Sequence, residues 1–341
     1  MHVTPQEQAP ANPGMVFAMV NAHQQTAALN AAIDLDLFRA VGAGPGDVAS
    51  LAQQCSASER GIRVLCDFLV INGVLQKQDG HYEHTPTSAV FLDPASPACI
   101  ATVARFMNNP QIHGVYQELA EVVRAGRTTL QGEGTVEPEN PLWVSFAENM
   151  APMMAPVAPF VASRVLGEVS GPMRVLDIAA GHGLFGIEIA SQNPEAKIVG
   201  LDWAKVLEVA YRNAQKAGVA ERYSRLPGSA FDVEFGGPYD AVLLTNFLHH
   251  FDRACCVGLL KKVKAALRPG GVAATLEFVP DESRVSPPMP AGFAMTMLTS
   301  TAAGEVYTFR ELQAMYTEAG FSGVTCHPVP MSPETAVLGL A

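Results

Sequence analysis

The stretch LLTNFLHHFDRACC, Leu243 to Cys256, sets His249 and His250 side by side where an apolar run meets a capped helix. A neutral imidazole has a reference pKa of ~6.5, close enough to neutral pH to take a proton from a weakly acidic hydroxyl. Adjacent residues leaving a strand point in different directions, so only one of the two rings faces a cleft. A second chemical feature is DIAAGHGLFG, in which Gly181, Gly183 and Gly186 form a G-x-G-x-x-G turn. Such a turn lets the backbone approach a ligand and aims the next helix N-terminus at it, although the pattern alone does not name the ligand. Asp177 stands just ahead of these glycines, and Asp202 follows 25 residues after it.

The elements that must position these residues come from Met173 onward. RVLDIAAG, KIVGLDW, YDAVLLTNF and GGVAATLEFV are short, apolar, β-rich runs separated by helical stretches. Strands buried on both faces read this way, so the expected fold is α/β with a doubly wound parallel sheet. Ligands of such sheets bind beyond the carboxyl ends of the strands, near the switch in strand order. Asp177 chooses between cofactors: a carboxylate there repels a pyrophosphate but suits the cationic amino-acid end of S-adenosylmethionine. Asp202 suits the ribose hydroxyls of either cofactor. Trp203, beside it, is a candidate to cover an adenine, with ordinary packing as the alternative.

Upstream the pattern differs. MHVTPQEQAPANP reads as irregular through Pro13, and MVFAMVNAHQQTAALNAAIDLDLFRAV has helical spacing up to the turn GAGPGD. Asp47 opens a shorter helix, Ser58 caps a third that stops at Gly73, and LQKQDGHYEHT makes a hairpin around Asp79 and Gly80. Helix, helix, helix and wing form a winged-helix-like arrangement. DNA is a poor partner for it, because residues 1–110 hold five Lys or Arg against nine Asp or Glu and the third helix carries no basic stripe. Dimerisation through apolar helix faces is the expected use. The expected domains are 12–97, winged-helix-like; 98–172, a helical linker region contributing to the pocket and broken by GRTTLQGEGTVEPENP; and 173–341, the cofactor-binding domain.

With 341 residues, 48% apolar and 16% charged, the chain is globular and exceeds one comfortable core. A net charge of -11 gives no electrostatic reason to approach nucleic acid or an anionic membrane. The six cysteines show no CxxC pairing or metal-ligand spacing, so no metal is expected and the thiols read as reduced. The N-terminus lacks a secretory pattern and no window is apolar enough to span a bilayer, which makes a cytoplasmic location the expectation.

With ALRPGG ahead of VAATLEF, the layout over residues 173–341 resembles the class I S-adenosylmethionine-dependent methyltransferases. FLHHFD, TLEFVPDE and AAGEVYTF narrow the resemblance to the dimeric small-molecule O-methyltransferases of the caffeic-acid and hydroxyindole type. That family implies a Rossmann-like methyltransferase domain preceded by a mainly helical winged-helix dimerisation domain, and a homodimer. It also implies His249 as the general base, with Glu277 and Glu305 as its acidic partners. A carboxylate on the other ring nitrogen fixes the tautomer and stabilises the imidazolium.

The resemblance carries cofactor contacts onto Asp177, Gly181, Gly183, Asp202, Trp203, Ala230, Phe231 and Thr245, with departures. Ala230 stands where the family shows an acidic residue for the adenine amino group, so adenine recognition shifts toward Trp203 and Phe231. Thr245 replaces a common basic residue. His250 replaces an acidic one and is expected at the surface or behind the first layer of the site, while Asp252 reads as a helix N-cap. Met150, Met297, Phe293 and His250 are the candidates to line a flat substrate, although methionine at helical spacing also packs cores. The leading expectation is an O-methyltransferase of a hydroxylated, aromatic small metabolite. Its rivals are C- or N-methylation, a non-methylating reaction on the same cofactor, an NAD-dependent dehydrogenase, and a DNA-binding regulator built on the N-terminal module.

Overall fold

The computed structural model describes residues 11–341. The chain divides into two compact units between Arg105 and Phe106. In the first, the side chain of Asn12 accepts from the Gly14 N–H and caps the helix Pro13–Asp34. Proline at the first helical position has φ already set and lacks an N–H that would go unpaired, so the helix starts within the stretch expected to be irregular. Residues 1–10 of that stretch lie outside the described residues. The run to Val41 is not one helix: Leu35 caps the first, and Asp36 at φ +53° opens a second, Leu37–Gly42. Asp47 and Ser58 cap the helices Val48–Gln54 and Glu59–Ile71 through their side chains. Strands β1 (Leu75–Gln78) and β2 (His81–His84) pair around Asp79 and Gly80, both at positive φ. Leu37, Phe38, Leu51, Ile62, Leu69 and Tyr82 fill the core of this helix-and-wing unit.

The second unit is built on seven strands: β3 (Met173–Ile178), β4 (Ala196–Asp202), β5 (Tyr223–Pro227), β6 (Tyr239–Thr245), β7 (Leu267–Phe278), β8 (Ser322–Pro328) and β9 (Glu334–Leu340). Their order is β5-β4-β3-β6-β7-β9-β8. The first five in that order run parallel, whereas β9 runs antiparallel to β7 and β8 antiparallel to β9. The sheet is therefore mixed, not wholly parallel as the strand runs suggest. An antiparallel return needs only a short connection and no crossover helix, so β8 and β9 leave no helical spacer in the sequence. Edge strand β5, YSRLP, has three exposed residues and lacks a buried run.

Successive residues alternate between two cores. On β3, Val175 joins the cluster containing Val161, Ile189 and Ala210, while Leu176 and Ile178 join the one containing Leu260 and Leu312. The helices Ala158–Glu168, Leu184–Gln192 and Ala204–Lys216 thus cover one face, and Arg253–Ala266 with Phe309–Glu318 the other. β3 lies between β4 and β6, so the connections leaving it and returning beside it diverge there. That opens a crevice at the carboxyl ends of β3, β4 and β6.

Candidate active site

At the end of β3 the backbone turns sharply: Ala179, Gly181 and Gly183 all take positive φ, and the Gly181 N–H donates to Oδ2 of Asp202 at 2.9 Å. Gly183, at φ +75°, precedes the helix Leu184–Gln192. A Cβ on it would stand 2.9 Å from Cβ of Ala210 and 3.2 Å from Oη of Tyr223, so neither the conformation nor the space admits a side chain. Phe146, from the helix Leu142–Asn149, covers Gly181 and stacks on the buried ring of His182 at 6.3 Å between centroids. Burial pushes His182 down to about 4, which keeps it neutral.

The two aspartates behave differently. Asp177 is fully buried beneath this turn, and its Oδ2 accepts from the Gly186 N–H at 3.3 Å. Burial pushes it up to about 8, with the Asp202 charge adding to the rise and the Gly186 bond opposing it. Asp177 supports the turn from below, through the bond to the Gly186 N–H. Asp202 is only partly buried, at the mouth of β4, and accepts from the N–H groups of Gly181 and Trp203. Burial raises it to about 6 against the pull of those two bonds, which leaves it an acceptor at pH 7. Trp203 packs with Trp143, Ala147 and Val206. Ala230 is buried and Phe231 is 42% exposed, its ring edge-to-face with Phe251 at 4.8 Å. Thr245 is buried at the last position of β6, paired with Leu276.

Beyond β6 the chain passes through Asn246, at φ +52°, into the short 3-10 segment Leu248–His250. His249 is 4% exposed and its Nδ1 is hydrogen-bonded to Oε2 of Glu277 on β7, itself 3% exposed. Oε1 of Glu277 accepts from the N–H groups of Phe247 and Leu248 at 3.2 and 2.9 Å. The carboxylate thus grips both the ring and the backbone that presents it. Phe293 stands edge-to-face with His249, centroids 5.1 Å apart, and stacks on Phe278 at 4.1 Å.

Glu305 is placed otherwise than the resemblance implies. Its N–H donates to the carbonyl of His249, but its exposed carboxylate pairs with Arg284 at 3.4 Å and accepts from the Val306 N–H. Of the two places expected for His250, the surface is excluded: it is buried against Trp143, with centroids 5.2 Å apart, and its Nδ1 meets the Phe247 carbonyl. Burial, then the neighbouring His249, pushes its pKa well below the ordinary histidine value. Met150 and Met297 are both buried, the latter on the helix Pro288–Ser300. Asp252 caps the helix Arg253–Ala266 by accepting from the Cys255 N–H, as expected. Among the described residues no cluster of His, Cys, Asp or Glu is arranged to hold a metal ion.

Residues 145–322 match the O-methyltransferase domain model, and residues 17–94 match the O-methyltransferase dimerisation domain model. The chain belongs to the O-methyltransferase family. This O-methyltransferase is 45% identical to a solved protein of Nostoc punctiforme PCC 73102 assigned to the same activity, with a TM-score of 0.94 over 97% of this chain and 100% of that one. It is 27% identical to the 3-hydroxy-5-methyl-1-naphthoate 3-O-methyltransferase of Streptomyces sahachiroi, over 92% of this chain and 90% of that one. It is 28% identical to the acetylserotonin O-methyltransferase of Mus musculus molossinus, over 84% and 78%. Membership makes the protein a methyltransferase that uses S-adenosylmethionine.

Some residues of this O-methyltransferase's crevice escaped the sequence reading. Trp143 and Phe146 are one helical turn apart in LWVSF, a spacing that could have flagged an aromatic face. Asn246 and Glu334 carry no such signal, because one lies in a turn and the other reaches the site through β7–β9 pairing.

Proposed function

We propose that this enzyme transfers a methyl group to a hydroxyl of a small aromatic metabolite, with His249 as the general base. The observation that carries the reading is the buried Glu277 carboxylate, held by two backbone N–H groups and bonded to Nδ1 of His249. Nδ1 as the donor leaves Nε2 as the basic nitrogen, and no hydrogen bond among the described residues ends on Nε2. A hydroxyl brought to Nε2 gives up its proton as it becomes nucleophilic, and Glu277 stabilises the imidazolium that forms. The edge-to-face ring of Phe293, backed by Phe278, favours a planar acceptor held beside that nitrogen. The naphthoate and acetylserotonin named for the two relatives are aromatic, which supports the same class.

The donor set suits S-adenosylmethionine. Asp202 offers a carboxylate matched to ribose hydroxyls, the turn at Gly181 and Gly183 offers backbone without side chains, and Trp203 and Phe231 offer aromatic surface for the adenine. When bound, that cofactor supplies an electrophilic methyl on a sulfonium that departs as a neutral thioether. The protein's own work is then to position the acceptor, hold its proton and exclude water. The apolar helix surface of Met15, Val16, Phe17, Met19 and Val20 supports a homodimer.

Replacing His249 with Ala is expected to lower kcat/KM by about 100-fold or more, while calorimetric affinity for S-adenosylhomocysteine stays near wild type. Full activity in that variant, measured on the best acceptor from a panel of phenols with labelled methyl donor, would remove the general base.

A further inference from the structure

Lys262, on the helix Arg253–Ala266, takes no part in the mechanism above. Its ammonium donates to three carbonyls of the turn at residues 229–233: Ala230 at 3.0 Å, Phe231 at 3.2 Å and Val233 at 2.7 Å. An ammonium has three N–H groups, so all of its donors are spent on this one turn. The Phe235 ring presents its face to the same nitrogen, 4.4 Å from the centroid. Within the turn, the N–H groups of Asp232 and Val233 donate to the Ser229 carbonyl, and the Phe231 N–H donates to the Ser229 hydroxyl. Those bonds set the shape of the turn. Its place is set at the entry, where the Gly228 N–H donates to the Asp202 carbonyl at 3.0 Å, and on the carbonyl side by Lys262.

Resting on the reading of Phe231 as adenine surface, we propose that Lys262 is a positioning residue for cofactor binding. It pins the carbonyl side of this turn to the helix and so fixes the Phe231 ring at the rim of the crevice. Phe231 and Asp232 are exposed, so water reaches the turn and can satisfy its carbonyls without any lysine. What one cation on three carbonyls adds is position, because charge-assisted bonds converging on a single point leave the turn little freedom to swing. Position matters at Phe231. Its ring is 42% exposed, and it meets Phe251 edge-on at 4.8 Å and Phe247 at 6.4 Å, the two aromatic residues that bracket His249 and His250 in the chain. Ala230 puts no acid where the resemblance implies one for the adenine amino group, so aromatic surface carries more of the base recognition and its placement more of the affinity.

The test measures S-adenosylhomocysteine affinity by calorimetry, and kcat at saturating cofactor, for Lys262→Met, Phe231→Ala and the double variant of the full-length enzyme. K262M keeps an unbranched stem and removes the ammonium, so its Kd is expected to rise about tenfold or more while kcat stays within about twofold. F231A is expected to weaken binding similarly, and the double variant to lie within about threefold of the weaker single one, because both act through one turn. The proposal is overturned if K262M binds with wild-type affinity, if its kcat falls by as much as its affinity, or if the two losses multiply. Wild-type affinity in F231A would refute the adenine surface and the proposal with it, whereas a weakened F231A beside an unaffected K262M would refute only the role of Lys262. Should K262M fail to fold, Lys262→Gln is judged by the same criteria. Binding is read without methyl transfer, so full activity in H249A would refute the general base and leave this result standing.

Discussion

Asp177 has no accessible surface, and its second oxygen meets no donor. Its carboxyl is raised from the ordinary value near 3.8 to about 8, so between those pH values the folded chain holds a proton that the unfolded chain has released. Stability from this group is therefore fully present below about pH 4 and is lost as pH rises through about 8. His182 acts in the opposite sense: lowered from 6.5 to about 4, it removes stability as pH falls through that window. The variant Asp177→Asn isolates the first effect, because the comparison with wild type cancels the second. Its advantage over wild type in thermal unfolding is expected to grow from pH 5 to pH 8. An unchanged difference across that range would show Asp177 ionised in the folded protein. The residue types at this scale were legible in the sequence, since a carboxylate ahead of a glycine turn is a visible signal. Their ionisation was not, because desolvation depends on what packs above them.

At the scale of elements, the turn from β3 into the helix Leu184–Gln192 joins backbone conformation to ligand approach. Placing Ala at Gly183 sets a side chain at φ +75° and drives a methyl against Ala210. It is expected to cost about 2 kcal/mol or more of stability and to weaken S-adenosylhomocysteine binding at least tenfold, read by denaturant titration and calorimetry. Wild-type affinity in Gly183→Ala would show that the turn does not need glycine there. The helix caps at Ser58, Asp47 and Asp252 and the hairpin at Asp79 and Gly80 could be read directly from residue type, because each satisfies local backbone groups. Strands β5 and β8 could not, since both are edge strands with many exposed residues and weak apolar patterns.

Across the whole molecule, the first unit exposes apolar side chains around the first turns of the helix Pro13–Asp34, with Phe17 at 64% and Met19 at 75%. A surface of that kind is costly to leave in water and matches the dimerisation domain model over residues 17–94. Phe17→Glu combined with Val20→Glu is expected to turn a dimer into a monomer in light-scattering chromatography at micromolar concentration, while circular dichroism stays native. A wild-type monomer at that concentration would refute the assembly. No helix among the described residues is long and apolar enough to cross a membrane.

By itself the sequence determined the strand and helix alternation, the glycine turn and the caps, since each follows from residue type and spacing along a strand or turn, whereas the pairing of His249 with Glu277 was implied only by the family resemblance. Only the tertiary structure decided that Asp177 is buried and holds the Gly186 N–H, that Glu305 turns its carboxylate to Arg284, and that His250 is buried against Trp143. Burial and partner choice are properties of atoms brought together from distant segments. Desolvation and hydrogen bonding then set the charge and direction of each group, and no local pattern encodes that environment.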